Sequence, residues 1–234
     1  MAPVRDHYDH LLGPVYAWMV GDPAAATAAA RQIFVGLGLT GGGVAVDLGA
    51  GPGYQAKALA ELGWQVTAID GCAALVAAIP PPVRAIHDEL GRFREYVPSA
   101  DAIVCMGDTL THLPSRAAIS ALLDDVAAAL RPGGTFVATF RDYSRELVGT
   151  DRFIPVKADE RRILMCFLEY DGDSVDVHDI LHERGESGWA TRVSAYRKLR
   201  LSRDGVAGEL AARGLVVERN QVERGLITLA ARRR

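Results

Sequence analysis

The chain of 234 residues is poor in cysteine: Cys72, Cys105 and Cys166 are the whole complement, and no two stand as C-x-x-C. An odd, dispersed set argues against a disulfide framework. Long hydrophobic runs are missing as well. Nothing approaches the ~18–20 apolar residues of a membrane span, and the opening MAPVRDHYDH lacks the hydrophobic core of a signal peptide. Nor is there a surplus of positive charge. Lys+Arg number 26 against 29 Asp+Glu, a net −3, so no bulk attraction draws the chain to nucleic acid. No segment repeats with a period of ~20–50 residues, and nothing beyond alanine-rich helices is low in complexity. The expectation is a soluble, cytoplasmic protein, long enough for one large domain or a domain carrying an insertion.

What the sequence does contain is VAVDLGAGPGYQA at 44–56. Val44, Val46 and Leu48 predict a buried strand that runs into a glycine turn, and 54–62 predicts a helix beyond it. Glycines at 49, 51 and 53 remove side chains where a ligand must touch backbone, beside the unpaired N–H groups of a new helix. The frame is wrong for a dinucleotide site, because Tyr54 stands where G-x-G-x-x-G needs its third glycine. A P-loop is excluded too, since no Lys-Ser or Lys-Thr follows. Instead Asp47 lies two residues before G-x-G-x-G. A carboxylate there suits a cationic ligand and would be a poor neighbour for a pyrophosphate. The plainer reading is a turn that only packs helix on strand.

Taken in order, residues 6–36 predict a helical pair broken at Gly21-Asp22-Pro23, with Leu11, Leu12, Val15, Trp18 and Met19 as its apolar stripe. Such a pair either packs on the core or forms a lid, in which case Tyr8, Tyr16 and Trp18 supply walls with polar tips. After the helix at 54–62, a second strand at 65–69 ends at Asp70. That acid lies about 20 residues past the turn, where α/β sites hold ribose hydroxyls, and the same position suits capping of the segment from Cys72. A third strand at 83–87 ends at Asp88-Glu89, and a fourth at 102–106 opens into GDTLTHLP at 107–114. That loop lies outside the carboxyl end of a central strand, the ligand crevice of open α/β sheets. A helix at 115–130, with Ser115 as its N-cap, stops at Arg131-Pro132-Gly133-Gly134. A fifth strand at 135–140 ends in Arg141-Asp142-Tyr143-Ser144. This βαβαβαβαβ order predicts a parallel, doubly wound sheet. The pattern then changes: 163–170, 175–183 and 189–201 alternate apolar and polar around hairpin turns, which predicts a three-stranded antiparallel insertion. A helix at 204–213 and strands at 215–218 and 226–230 follow, and Arg232-Arg233-Arg234 is expected to be a solvated tail.

With the acid-glycine turn, Asp70, Asp88 and the LRPGG break in place, residues 44–140 resemble the core of the class I S-adenosylmethionine (SAM) methyltransferases. The resemblance implies a Rossmann-like sheet of seven mostly parallel strands, the last two supplied by 215–231. It implies SAM as cofactor, with Asp47, Gly49 and Gly51 at its methionine end, Asp70 at the ribose and Asp88 at the adenine. Ala50, Gly53, Gly71, Glu89 and Met106 would belong to the same cofactor site. Two runs, CMGDTLTHLP at 105–114 and FRDY at 140–143, are similar to glycine and sarcosine N-methyltransferases, as are Asp6-His7-Tyr8 and Val20-Gly21-Asp22. That narrower similarity implies a small-molecule acceptor, an amine of an amino-acid-like or carboxylate-bearing compound. Arg141 would grip the carboxylate, and Tyr8, Asp108 and His112 would line the acceptor pocket, with His112 able to take the amine's proton.

The organisation expected is a lid at 1–40, a SAM-binding core at 41–144 and 202–234, and the insertion at 145–201 covering the site or pairing two copies as a homodimer. An O- or S-methyltransferase of a natural-product intermediate, or a SAM-binding sensor without turnover, fits the same core. Base methylation of DNA or RNA would call for a D/N/S-P-P-Y/F tetrad after strand four, where GDTL stands. His178 and His182 hint at a metal, but alternation places them on a strand, where four residues span roughly 13 Å, too far to share one ion.

Overall fold

A computed structural model describes residues 4–234. Eleven strands form two sheets. They are β1 Gly43–Leu48, β2 Trp64–Asp70, β3 Arg84–His87, β4 Ala100–Cys105, β5 Leu130–Arg141, β6 Phe153–Ala158, β7 Arg162–Asp171, β8 Ser174–Gly185, β9 Gly188–Leu199, β10 Leu215–Glu223 and β11 Leu226–Arg233. Seven of them make the main sheet, in the order β10-β11-β5-β4-β1-β2-β3. β1 pairs parallel with β2 and β4, β2 with β3 and β4 with β5, whereas β11 runs antiparallel between β5 and β10. This is the doubly wound, mostly parallel α/β architecture that the alternation of strands and helices requires.

Both faces of the central strands are buried, so β1 and β4 are apolar almost throughout, while the edge strands β3 and β10 carry polar, exposed residues. Val46, Leu48, Ile69, Ile103 and Phe136 face the helix Arg116–Ala129, which brings Leu122, Leu123 and Val126. Ala45, Ala68, Val104 and Val137 face the helices Pro23–Gly36 and Tyr54–Glu61 through Phe34 and Leu59. Ser115 caps the first of these helices, accepting from the Ala118 N–H at 3.1 Å.

The second sheet has four antiparallel strands, β6-β7-β8-β9, not three. The extra member, Phe153–Ala158, carries Pro155 and lies at the edge, the one place in a sheet where a missing N–H breaks no ladder. His178 and His182 do lie on a strand, β8, bonded to Glu169 and Thr191.

The N-terminal stretch is less regular than its apolar spacing predicts. Residues 4–20 form a string of short helical turns, α, π and 3₁₀ in type, with Pro14 and Gly21 interrupting them. Leu11, Leu12 and Val15 pack on Leu164 and Leu181 of the second sheet. Lys157 Nζ donates to the Trp18 carbonyl at 2.6 Å, and Trp18 Nε1 donates to Asp159 at 2.6 Å. The N-terminal turns are therefore fastened to the second sheet and the turn after β6. The arginine tail is not wholly solvated. Arg232 and Arg233 belong to β11, and Arg233 donates to the carbonyls of Ala127 and Ala128, where the helix Arg116–Ala129 leaves its last acceptors unpaired.

Leu181 is fully buried where these two parts meet. Leu181→Ala is expected to cost about 2–5 kcal/mol of stability, read as a lower midpoint in urea unfolding.

Candidate active site

The carboxyl ends of β1, β2, β3 and β4 surround a cleft of about 290 Å³, roofed by Tyr8 and Tyr16 from the N-terminal turns. The three glycines of the turn have positive φ angles of 73°, 54° and 84° at 49, 51 and 53, and each leaves room for something different. A β-carbon on Gly49 would lie 2.3 Å from Thr109, so the turn after β1 and the loop after β4 interlock there. One on Gly53 would press Ile79 at 3.0 Å, which is helix packing. Gly51 lines the cleft, and a β-carbon there would come 3.6 Å from the Tyr16 hydroxyl.

Asp70 lines the cleft and ties it together: Oδ2 accepts the Gly51 N–H and Oδ1 the Cys72 N–H, each at 2.8 Å. Burial pushes this carboxyl up, and the two amides draw it part of the way back. Asp88, with Gly71 and Glu89, lines the same end. It accepts from Tyr96 Oη, the Glu89 N–H and Arg92, and the Tyr96 hydroxyl leads in holding it below the usual carboxylate range. Ala50 and Met106 complete this half of the wall. Asp47 lies outside the cleft lining, beneath the turn. It is buried, with Oδ2 unpartnered, and burial followed by the charge of Asp70 pushes it up to about 7.

At the other end, Asp108 and His112 line the cleft beside Tyr8. Asp108 Oδ1 accepts the Arg141 N–H at 2.6 Å, and Oδ2 accepts from Lys198 Nζ at 2.6 Å. Lys198 also reaches Tyr143 Oη at 3.4 Å and lies over the rings of Tyr143 and Tyr196. Burial alone would push Asp108 up, yet Lys198 and the Arg141 amide outweigh it and hold the carboxyl below its ordinary range. His112 stacks on Tyr196, with ring centroids 5.4 Å apart. Burial, then the charge of Lys198, pushes its imidazole down to about 3. At neutral pH the ring is uncharged and a weak base, unlike the proton acceptor the loop sequence suggests.

The residues named from sequence thus divide. Gly49, Ala50, Gly51, Asp70, Gly71, Asp88, Glu89, Met106, Tyr8, Asp108 and His112 converge on one cleft; Asp47, Gly53 and Arg141 do not line it. The Arg141 side chain is 62% exposed and stands 3.6 Å from Asp108 Oδ2, on the outer side of that carboxylate. Lys198 escaped the sequence reading. Its signal was parity: in β9 it shares the inward phase of Ser194 and Tyr196, where a lysine is out of place. Among the described residues no cluster of His, Cys, Asp and Glu could hold a metal ion, and no helix is long and apolar enough to cross a membrane.

These residues fit SAM. An unpartnered buried carboxylate oxygen lies under a turn bare of side chains, and two further carboxylates line the cleft at the ends of β2 and β3. Asp47 gives a test in the protein alone. Its folded pKa of about 7 exceeds the ordinary 3.8, so the folded state binds more protons between those values and loses stability as pH rises through them. Asp47→Asn is expected to flatten that decline and to unfold at a higher temperature than the parent at pH 8, read by calorimetry.

Residues 45–134 match the model of a family described as a methyltransferase domain. No curated protein matches the chain. Among solved structures it is similar to the CcbJ methyltransferase from Streptomyces caelestis, at 18% identity over 92% of this chain and 98% of that one, with a TM-score of 0.76. A SAM-bound amino pentose methyltransferase from Micromonospora echinaspora, involved in calicheamicin biosynthesis, gives a TM-score of 0.75 at 18% identity, over 95% of this chain and 97% of that one. A sugar N-methyltransferase from a Streptoalloteichus species gives 0.75 at 17% identity, over 97% and 94%. The match over residues 45–134 and the likeness over nearly the whole chain agree on one architecture: the chain has the fold of SAM-dependent methyltransferases.

Proposed function

We propose that this protein moves the methyl group of SAM to an amine nitrogen of a small-molecule acceptor. The reading is carried by Asp108, a carboxylate held ionised at the end of the cleft opposite Asp70 and Asp88. A carboxylate accepts hydrogen bonds only, which suits an N–H donor and repels another carboxylate. Arg141, the group fitted to hold a substrate carboxylate, lies outside the lining, so the amino-acid-like part of the reading has less support than the amine. The resemblance in fold to an amino pentose and a sugar N-methyltransferase adds weight to an amine acceptor.

SAM, when bound, supplies a methyl carbon on a sulfonium, open to in-line displacement by a lone pair. The protein's part is alignment and dryness. The glycine turn, Asp70 and Asp88 would hold SAM at the end of the cleft away from Asp108. Tyr8 and Tyr16 close the roof, and burial holds both phenols protonated, Tyr16 up to about 12. Asp108 accepts from the acceptor amine and turns its lone pair inward. Neutral His112 is a wall and a hydrogen-bonding group.

The deciding experiment offers SAM with amino sugars, alkyl amines, amino acids, phenols and thiols, and reads S-adenosylhomocysteine and methylated product by mass spectrometry. Amines are expected to be turned over, and Asp108→Asn to lower kcat/KM for them about 10- to 100-fold, the worth of a hydrogen bond to a charge. Arg141→Ala is expected to change it by no more than about twofold, as for an exposed ion pair. Product from phenols or thiols alone would overturn the amine reading. Tight SAM binding with no S-adenosylhomocysteine from any acceptor would make the protein a sensor.

A further inference from the structure

The chain contains three lysines, Lys57, Lys157 and Lys198, and only the last is buried. A buried ammonium costs several kcal/mol of lost hydration unless it is paired and fully bonded, and Lys198 has both kinds of partner. It comes from β9 of the second sheet, crosses to the main sheet's ligand crevice, and meets Asp108 at 2.6 Å. Lys198 is absent from the cleft lining, and Asp108 belongs to it. The lysine therefore stands behind the carboxylate, away from any ligand.

We propose that Lys198 is the positioning residue that makes Asp108 an amine-accepting anion, so that the insertion sheet completes the acceptor end of a site otherwise built by the methyltransferase core. The inference rests on the amine reading above and adds to it the residue that enforces it.

The surroundings of Asp108 leave this task to Lys198. From its own loop comes His112, which is neutral. From the end of β5 come the Arg141 amide on Oδ1 and the exposed Arg141 guanidinium 3.6 Å from Oδ2. Tyr143 follows, its hydroxyl bonded to Lys198. The N-terminal turns bring Tyr8 and Tyr16, and β7 and β9 bring Cys166 and Tyr196, all neutral because burial raises them. Lys198 is thus the one buried cation facing this carboxylate among the described residues. It also fixes direction. With Oδ2 taken by Lys198 and one lone pair of Oδ1 by the Arg141 amide, the remaining acceptor capacity faces the cleft. The rings of Tyr143 and Tyr196 under the ammonium limit where it can sit.

Without Lys198, burial acts on Asp108 with only one amide and one exposed guanidinium against it. The carboxyl then protonates at higher pH and becomes a donor, the wrong partner for an amine that must present its lone pair elsewhere. The sign follows: the active form is the anion, so the acidic limb of the pH profile moves to higher pH when Lys198 is removed.

The test has two readouts on the wild type, Lys198→Arg and Lys198→Met. The first needs no turnover. Asp carboxyl carbons are labelled with ¹³C, the Asp108 signal is assigned by its loss in Asp108→Asn, and its titration is followed by NMR. Expected is titration below the usual range in wild type and Lys198→Arg, and at least one pH unit higher in Lys198→Met. The second is the pH dependence of kcat/KM for a turned-over amine weakly basic enough to stay unprotonated across the range, whose acidic limb should move by the same amount. A merely structural ion pair would lower thermal stability and leave the kcat/KM profile in place. If Lys198→Met does not fold, Lys198→Gln, which keeps a donor and drops the charge, carries the same comparison. An unchanged Asp108 titration would overturn the inference. A shifted titration in a protein that methylates no amine would overturn the amine reading and leave Lys198 as the group that ionises Asp108.

Discussion

Gly49 has no room for a β-carbon because Thr109 is there, and much of the site depends on that contact. Thr109 in turn donates to the Met106 carbonyl at 3.0 Å, so the loop after β4 is held at both of its neighbours. The interlock draws together the turn after β1 and the loop after β4, adjacent parallel strands whose carboxyl ends open a crevice. It places the ligand-facing backbone of Gly51 on one side and Asp108 on the other. A larger residue at 49 would part the loops, and with them the two ends of the cleft.

Around that fixed centre the second sheet does two separate things. Through Leu164 and Leu181 it anchors the N-terminal turns, which carry Tyr8 and Tyr16 over the cleft. His7 reinforces the anchor, bonded to Asp179 at 3.0 Å and Ser194 at 2.9 Å, with Tyr196 against its ring. Through Lys198 the sheet reaches Asp108 from behind the cleft wall. Buried ion pairs are weak sources of stability, since desolvation offsets most of their attraction. A buried lysine bridging two sheets is better explained by what it does to the carboxylate it meets.

The electrostatics of the two acids at the ends of parallel strands show how local context decides chemistry. Asp47 is a buried carboxyl and Asp108 a largely buried one that still lines the cleft. Asp47 lacks a cation, and burial drives it toward the neutral form near pH 7. Asp108 faces an ammonium and stays ionised. Two aspartates of equal intrinsic acidity are thereby set to opposite tendencies, one beneath the glycine turn and one beside Tyr8 and His112 in the cleft wall.

By itself the sequence determined the parallel core, the glycine turn with its flanking strand and helix, and the grouping of Asp70, Asp88, Asp108 and His112 at strand ends. Those features rest on local patterns: periodicity, capping and glycine's freedom at positive φ. Tertiary structure alone decided the rest. The edge strand Phe153–Ala158 was hidden by Pro155, because only pairing partners reveal which strand lies at an edge. Arg233 looked like tail until the helix end at Ala127 and Ala128 lay beside it. Arg141 and Asp47 stand at the expected strand ends, yet one side chain is largely in solvent and the other is buried beneath the turn, and neither lines the cleft. Lys198 stands 90 residues from Asp108, and no local pattern joins them. Their meeting depends on how one sheet sits against another, and long-range packing of that kind is set by the whole core at once.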